Sequence, residues 1–188
     1  MDTLKIITST TREGRKGRII AEWMTKPAEE SGNFKVELLD LAEINLPFMD
    51  EPNHPRLQQY KHEHTKSWSE SINSADAFII VLAEYNFGFP APIKNALDFL
   101  FKEWQYKPVG LVSYGGVSGG IRSAQMLKQV LTTLSMVPLT ESVGIPMFSK
   151  FISPEGQFVP EEVVVKSANA MLNGLAKWST TLKPMRQS

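Results

Sequence analysis

The chain has 188 residues, 42% of them hydrophobic and 21% charged, with a formal net charge of zero and no cysteine. A neutral chain lacks the basic surplus with which a dedicated nucleic-acid binder neutralises phosphates, and without cysteine there are no disulfides, thiolate nucleophiles, cysteine-ligated zinc sites or iron–sulfur clusters. The length suits one α/β domain, and the opening apolar run from Leu4 to Ile7 is too short for a signal segment or membrane span, so a soluble cytoplasmic protein with no membrane partner is expected.

Residues 4–8 read as a buried strand, and 19–30 as a helix with Ile19, Ile20, Trp23 and Met24 at helical spacing. A second strand is expected over 34–41 and a helix over 57–72, after an irregular stretch at 45–56 that contains Pro47, Pro52 and Pro55. Residues 77–82 are almost wholly apolar and β-branched, the pattern of a central strand buried on both faces. A helix over 93–103, a strand over 109–113, a helix over 121–134, a fifth strand over 139–145 and a closing helix over 160–178 follow. Residues 146–160 form another irregular stretch, residues 1–182 make a single domain, and residues 183–188 are expected as a loose tail. Strand and helix alternate with crossovers long enough to return parallel, which predicts an open parallel sheet with helices on both faces. Such sheets bind ligands at the carboxyl ends of their strands, where the strand order reverses.

Three unusual loops fall at that edge. The first, residues 9–18, reads S-T-T-R-E-G-R-K-G-R and joins a strand to a helix start. Hydroxyls of Ser9, Thr10 and Thr11, the backbone at Gly14 and Gly17, and the cations Arg12, Arg15, Lys16 and Arg18 against Glu13 suit a phosphate. Four cations at a helix start call for a compensating anion. The glycine spacing matches neither an ATP-type nor a dinucleotide-type phosphate loop. The second loop, residues 83–98, carries Tyr85, Phe87 and Phe89 close together, with Glu84 and Asn86 able to meet the edge of a flat heterocycle. Asn95 and Asp98, early in the following helix, are read as local caps. The third loop, residues 113–120, has four glycines in S-Y-G-G-V-S-G-G, with Tyr114 able to flank a ring and Ser118 able to donate to it.

Elsewhere the sequence offers little chemistry. The spacing of His62 and His64 does not put both on one helical face, so no metal site is expected. There is no G-x-S-x-G elbow, and no catalytic side chain is identified. Trp23, Trp68, Trp104 and Trp178 are read as core or interface, and Phe87, Phe89, Phe99 and Trp104 as an apolar interface set.

These loops resemble those of the NAD(P)H-dependent FMN reductases of the flavodoxin-like superfamily, which include quinone, azo-dye and chromate reductases. The resemblance rests on Ser9-Thr10-Thr11-Arg12-Glu13-Gly14-Arg15-Lys16-Gly17, on Glu84-Tyr85-Asn86-Phe87-Gly88-Phe89-Pro90 with Lys94-Asn95-Ala96-Leu97-Asp98, and on the run from Ser113 to Arg122. Ser9 stands where the family pattern has glycine, Ala83 where it has proline, and Gly88 where it has a small hydroxyl residue. The resemblance implies a three-layer flavodoxin-like sandwich with a five-stranded parallel sheet in the order 2-1-3-4-5. It implies bound FMN, with Ser9, Thr10, Arg12, Arg15 and Gly17 around the phosphate and Glu84, Tyr85, Asn86, Phe87, Ser113, Gly115, Gly116 and Ser118 along the isoalloxazine. It also implies NADPH or NADH as co-substrate, ping-pong hydride transfer to a small-molecule acceptor, and a homodimer or homotetramer whose second subunit walls the flavin face. The alternative is a non-enzymatic electron carrier, but flavodoxins are typically strongly acidic and this chain is neutral.

Overall fold

The computed structural model describes residues 1–186. Its centre is a parallel sheet of four full strands, β1 (Asp2–Thr8), β2 (Phe34–Asp40), β3 (Ala77–Ala83) and β4 (Pro108–Tyr114), with short strands β5 (Val137–Pro138) and β6 (Val143–Ile145) beyond β4. The order is β2-β1-β3-β4-β5, with β6 also paired to β4. Thr8 pairs with Asp40 on one side and Val81 on the other, so these strands end nearly level and their loops open onto one edge.

Every residue of β3 and β4 is buried, as strands covered on both faces must be. Helices α1 (Gly17–Glu30) and α6 (Glu162–Leu182) pack with one sheet face through Ile20, Met24, Met171 and Leu175. The other face is covered by α3 (Glu63–Asn73), α4 (Ala91–Asp98) and α5 (Ile121–Thr133), through Trp68, Ile72, Ile93, Leu97 and Leu127. The one-turn helix α2 (Leu41–Ile44) follows β2 directly and is capped by the Asp40 carboxylate on Ala42 N.

The structure departs from the sequence expectations where backbone geometry overrides periodicity. The helix expected over 57–72 is broken: a 3₁₀ turn at Pro55–Leu57 ends at Gln58 with φ +52, and α3 begins only at Glu63. The helix expected over 93–103 becomes α4 and a separate 3₁₀ turn, Lys102–Trp104. The expected fifth strand divides in two, because Pro138 has no N–H for the ladder and the polar Thr140, Glu141 and Ser142 follow. His62 is the N-cap of α3 rather than part of it, so its ring stacks on His64 at 5.2 Å despite their spacing. Phe99 and Trp104, expected on an interface, are wholly buried and belong to the core with Trp68.

The tail expected to be loose is tied down over its described part. Lys183–Arg186 form a 3₁₀ turn; Lys183 Nζ lies 2.7 Å from Asp2 Oδ1, and Arg186 Nη2 lies 2.9 Å from Asp76 Oδ1. Residues 187–188 lie outside the described residues.

Beside this turn Lys107 is buried and donates to the carbonyls of Ile72 and Asn73 at the end of α3. Burial, with Arg186 nearby, pushes its ammonium down from 10.5 to about 7. Between those pH values the unfolded chain holds a proton that the folded one has released, so this residue makes stability rise with pH. Urea unfolding at pH 7, 8 and 9 should show a flatter pH dependence for Lys107→Met than for the parent, by up to about 1.4 kcal/mol per pH unit.

Candidate active site

The three loops converge at the carboxyl edge of the sheet. In the first, Ser9 and Thr10 are buried and Ser9 N donates to Val81 O, which ties the loop to β3. Thr10 Oγ1 and the Tyr114 hydroxyl press on Gly17: a Cβ there would sit 2.8 and 2.9 Å from them, so only glycine lets α1 begin so close to β4. Burial pushes the Tyr114 hydroxyl up to about 12, and its ring packs edge-on against Phe148. Tyr114 thus supports the first loop from β4.

The start of α1 has no side-chain cap and no acidic residue in its first turn. Ser9 Oγ and Arg15 Nε are buried without a hydrogen-bond partner among the described residues. Buried polar groups are normally satisfied, and an uncapped helix start presents N–H groups and partial positive charge to an anion.

The cations of this loop divide into two pairs. Arg15 Nη2 lies 2.8 Å from Asp40 Oδ2; Arg18 reaches Asp40 at 3.3 Å, Glu43 at 2.8 Å and Glu22 at 2.7 Å. Their compensating anions are therefore supplied by the protein, contrary to the expectation that all four await a ligand. Arg12 and Lys16 have no acidic partner among the described residues. Asp40 itself is fully buried and also accepts from Thr8 Oγ1 at 2.8 Å. Burial opposes its charge, but hydrogen bonds from Arg15, Ala42 N and Thr8 outweigh it and hold the carboxyl below its ordinary value.

Arg12 Nε donates to the Tyr85 hydroxyl at 3.1 Å, joining the first loop to the second. Tyr85 and Gly88 exchange backbone hydrogen bonds around Asn86 and Phe87, whose φ values are +49 and +69. This is a two-residue hairpin turn of the primed type, and it leaves the Phe87 ring exposed at the rim.

The second loop joins the third through Glu84. Ser118 Oγ donates to Glu84 Oε2 at 3.0 Å, Arg122 N donates to the same oxygen, and the Arg122 guanidinium closes on Oε1. These donors hold both oxygens of the carboxylate and leave the side chain nearly buried. Burial works against its charge, but Arg122 and Ser118 prevail and lower its pKa. The Ser113 hydroxyl donates to Gly119 O at 2.9 Å. Gly115 and Gly116 anchor the Met147 and Phe148 backbone through their carbonyls, and Gly116 faces open space.

Three further residues shape the crevice. Asp40 stands at the end of a predicted strand on the same edge as the loops, which is its signal in the sequence. Arg122 lies just past the glycine-rich third loop, where nothing in its spacing assigns it a role. Asn95, read as a local cap, instead clamps a distant loop by donating to Pro47 O at 2.7 Å and accepting from Met49 N at 3.0 Å. That clamp shapes a cleft of about 340 Å³ lined by Thr11, Leu41, Asn45, Pro47, Phe48 and Pro92.

Fold and crevice together define a flavodoxin-like α/β protein whose first loop gathers cations and buried, unpartnered polar groups at the edge of its sheet. The same fold occurs in a flavoenzyme NAD(P)H:acceptor oxidoreductase from Paracoccus denitrificans, at TM-score 0.76 and 20% identity over 96% of this chain and 98% of that one. The chain belongs to the NADPH-dependent FMN reductase family, which matches residues 3–150. It is 34% identical over 186 residues to an NAD(P)H-dependent FMN reductase of Schizosaccharomyces pombe, covering 95% of this chain and 92% of the relative. It is also 29% identical over 126 residues to an FMN-dependent NADPH-azoreductase of Staphylococcus saprophyticus, covering 66% and 65%. The protein is thus an oxidoreductase of a family that uses FMN and NAD(P)H.

Proposed function

We propose that this protein binds FMN with its phosphate in the first loop and uses it to pass reducing equivalents from NADPH or NADH to a quinone, azo compound, flavin or similar acceptor in the cytoplasm. The observation that carries this reading is the pair of buried, unpartnered groups, Ser9 Oγ and Arg15 Nε, beside an uncapped helix start. Arg12 adds a cation that no acid among the described residues neutralises, and Ser9, Thr10, Arg12, Arg15 and Gly17 form the phosphate cradle. When bound, FMN supplies the hydride chemistry; the chain's part is to bind, orient and shield.

Tyr85, Asn86 and Phe87 border the isoalloxazine on one side, and Gly115, Gly116 and Ser118 on the other. Gly116, with no atom within 4 Å of a Cβ built on it, leaves room for a ring to approach the backbone. The exposed Phe48 and Phe87 frame the open face, and a second copy of the chain covers it in a homodimer or homotetramer. The acceptor classes follow the flavoenzyme and azoreductase relatives.

Incubation with FMN should give a protein-bound flavin spectrum that bleaches when NADPH or NADH is added without oxygen. Absence of bound flavin would refute the reading, and bound flavin that neither nucleotide bleaches would favour an electron carrier. Arg12→Ala should weaken FMN binding by about 1.5–3 kcal/mol, the value of a charge-assisted hydrogen bond. Titration followed by flavin fluorescence measures this, and unchanged affinity would place the phosphate elsewhere.

A further inference from the structure

One assembly at the crevice has no part in holding the phosphate. Arg122, in the first turn of α5, lies between the second and third loops. Its guanidinium closes on Glu84 Oε1, with Nε at 2.6 Å, while its backbone N–H donates to Oε2 at 3.2 Å. The same guanidinium carbon stands 3.8 Å from the centre of the Phe87 ring.

We propose that Arg122 is a positioning residue that locks the second and third loops into one unit, through Glu84 to Ser118 and through stacking on Phe87. The proposal rests on the FMN-reductase reading of the crevice for its functional consequence, but its structural content stands without it. Phe87 has a bulky side chain at φ +69, a conformation that costs free energy and persists only when its surroundings support it. Its ring is exposed, and the Arg122 plane is its support on the α5 side. Glu84 has a nearly buried carboxylate, with its side chain 7% exposed, and Arg122 is its only cationic partner among the described residues. Removing that partner leaves a buried charge uncompensated and releases the link to Ser118. Lysine does not replace this arrangement, because it has neither the fork that closes on a carboxylate nor the plane that stacks on a ring.

Two measurements test the proposal. In FMN-free protein, amide hydrogen exchange in residues 84–88 and 115–120 should quicken together in Arg122→Ala, and less so in Arg122→Lys. A rise confined to one loop, or no rise, overturns the proposal. In FMN-loaded protein, Arg122→Ala should raise KM for NADPH about tenfold while kcat changes less, because the loosened loops border the face where the nucleotide docks. Adding Phe87→Leu to Arg122→Ala should then cost little more, since both act through one stack. Additive effects, or an unchanged KM, overturn it. Failure of the parent protein to bind FMN would refute the proposed function, while the exchange measurement would still decide whether the two loops are coupled.

Discussion

Gly120→Ala should destabilise the protein by about 3 kcal/mol and abolish the geometry of the third loop. Gly120 is the N-cap of α5 at φ +79, a conformation that costs an L-residue roughly 1 kcal/mol. A Cβ there would stand 2.8 Å from both Tyr114 N and Tyr114 O, and 3.0 Å from Ser113 Cβ. These atoms belong to the end of β4, which is paired with β3 and β6 and cannot yield. The loop must move, and with it the Ser113–Gly119 and Glu84–Ser118 hydrogen bonds. Thermal unfolding should fall by roughly 6–12 °C for a chain of this size.

Gly116→Ala is the matched comparison. A Cβ at Gly116 meets nothing within 4 Å, so stability should change by less than about 0.5 kcal/mol. Any loss of FMN affinity in that variant then reports the ligand itself approaching the backbone. If Gly116→Ala were as unstable as Gly120→Ala, the loop geometry would be wrong.

The contrast between these glycines marks the limit of sequence reading here. Four glycines in S-Y-G-G-V-S-G-G announce a close-packed loop, but composition does not say which one touches backbone and which faces solvent. The sheet was legible because residues 77–82 and 109–113 are apolar runs that suit only a doubly covered strand, and the long crossovers force parallel pairing. Helix periodicity misled over 57–72, where Leu57, Tyr60 and His64 fit one face yet Gln58 turns left-handed and ends the first turn. In the first loop, residue types and place were legible but charge balance was not. Counting acids within the loop finds Glu13 alone, whereas the partners of Arg15 and Arg18 come from α1, the end of β2 and α2. Likewise Phe99 and Trp104 follow an aromatic loop in sequence, but the chain turns inward after α4 and buries both.

Asp40 is where this hidden balance can be tested. Its carboxylate accepts from Thr8 and Ala42 N on one oxygen and from Arg15 and Arg18 on the other, with the side chain wholly shielded from solvent. Asp40→Ala should therefore destabilise the fold by about 3–5 kcal/mol, the cost of breaking a buried pair and leaving a guanidinium beside unfilled space. Asp40→Asn keeps the shape and the acceptor toward Thr8 but removes the charge, so its loss should be smaller. The pH dependence separates charge from shape. The folded carboxyl titrates below the ordinary 3.8, so its stabilisation is present above that value and is lost as pH falls through the folded pKa. Acid unfolding of the parent should therefore steepen below about pH 4 relative to Asp40→Asn, in which this group no longer titrates. Denaturant midpoints at pH 7, 4 and 3 measure the difference, and parallel acid limbs in the two proteins would show that Asp40 carries no stabilising charge. Because Asp40 holds Arg15 in the first loop, where the proposed function puts the phosphate, the same variants should also loosen FMN, and stabilisation by added FMN should shrink with the weakened affinity. Full FMN stabilisation in Asp40→Ala would mean that Arg15 reaches the phosphate without its anchor.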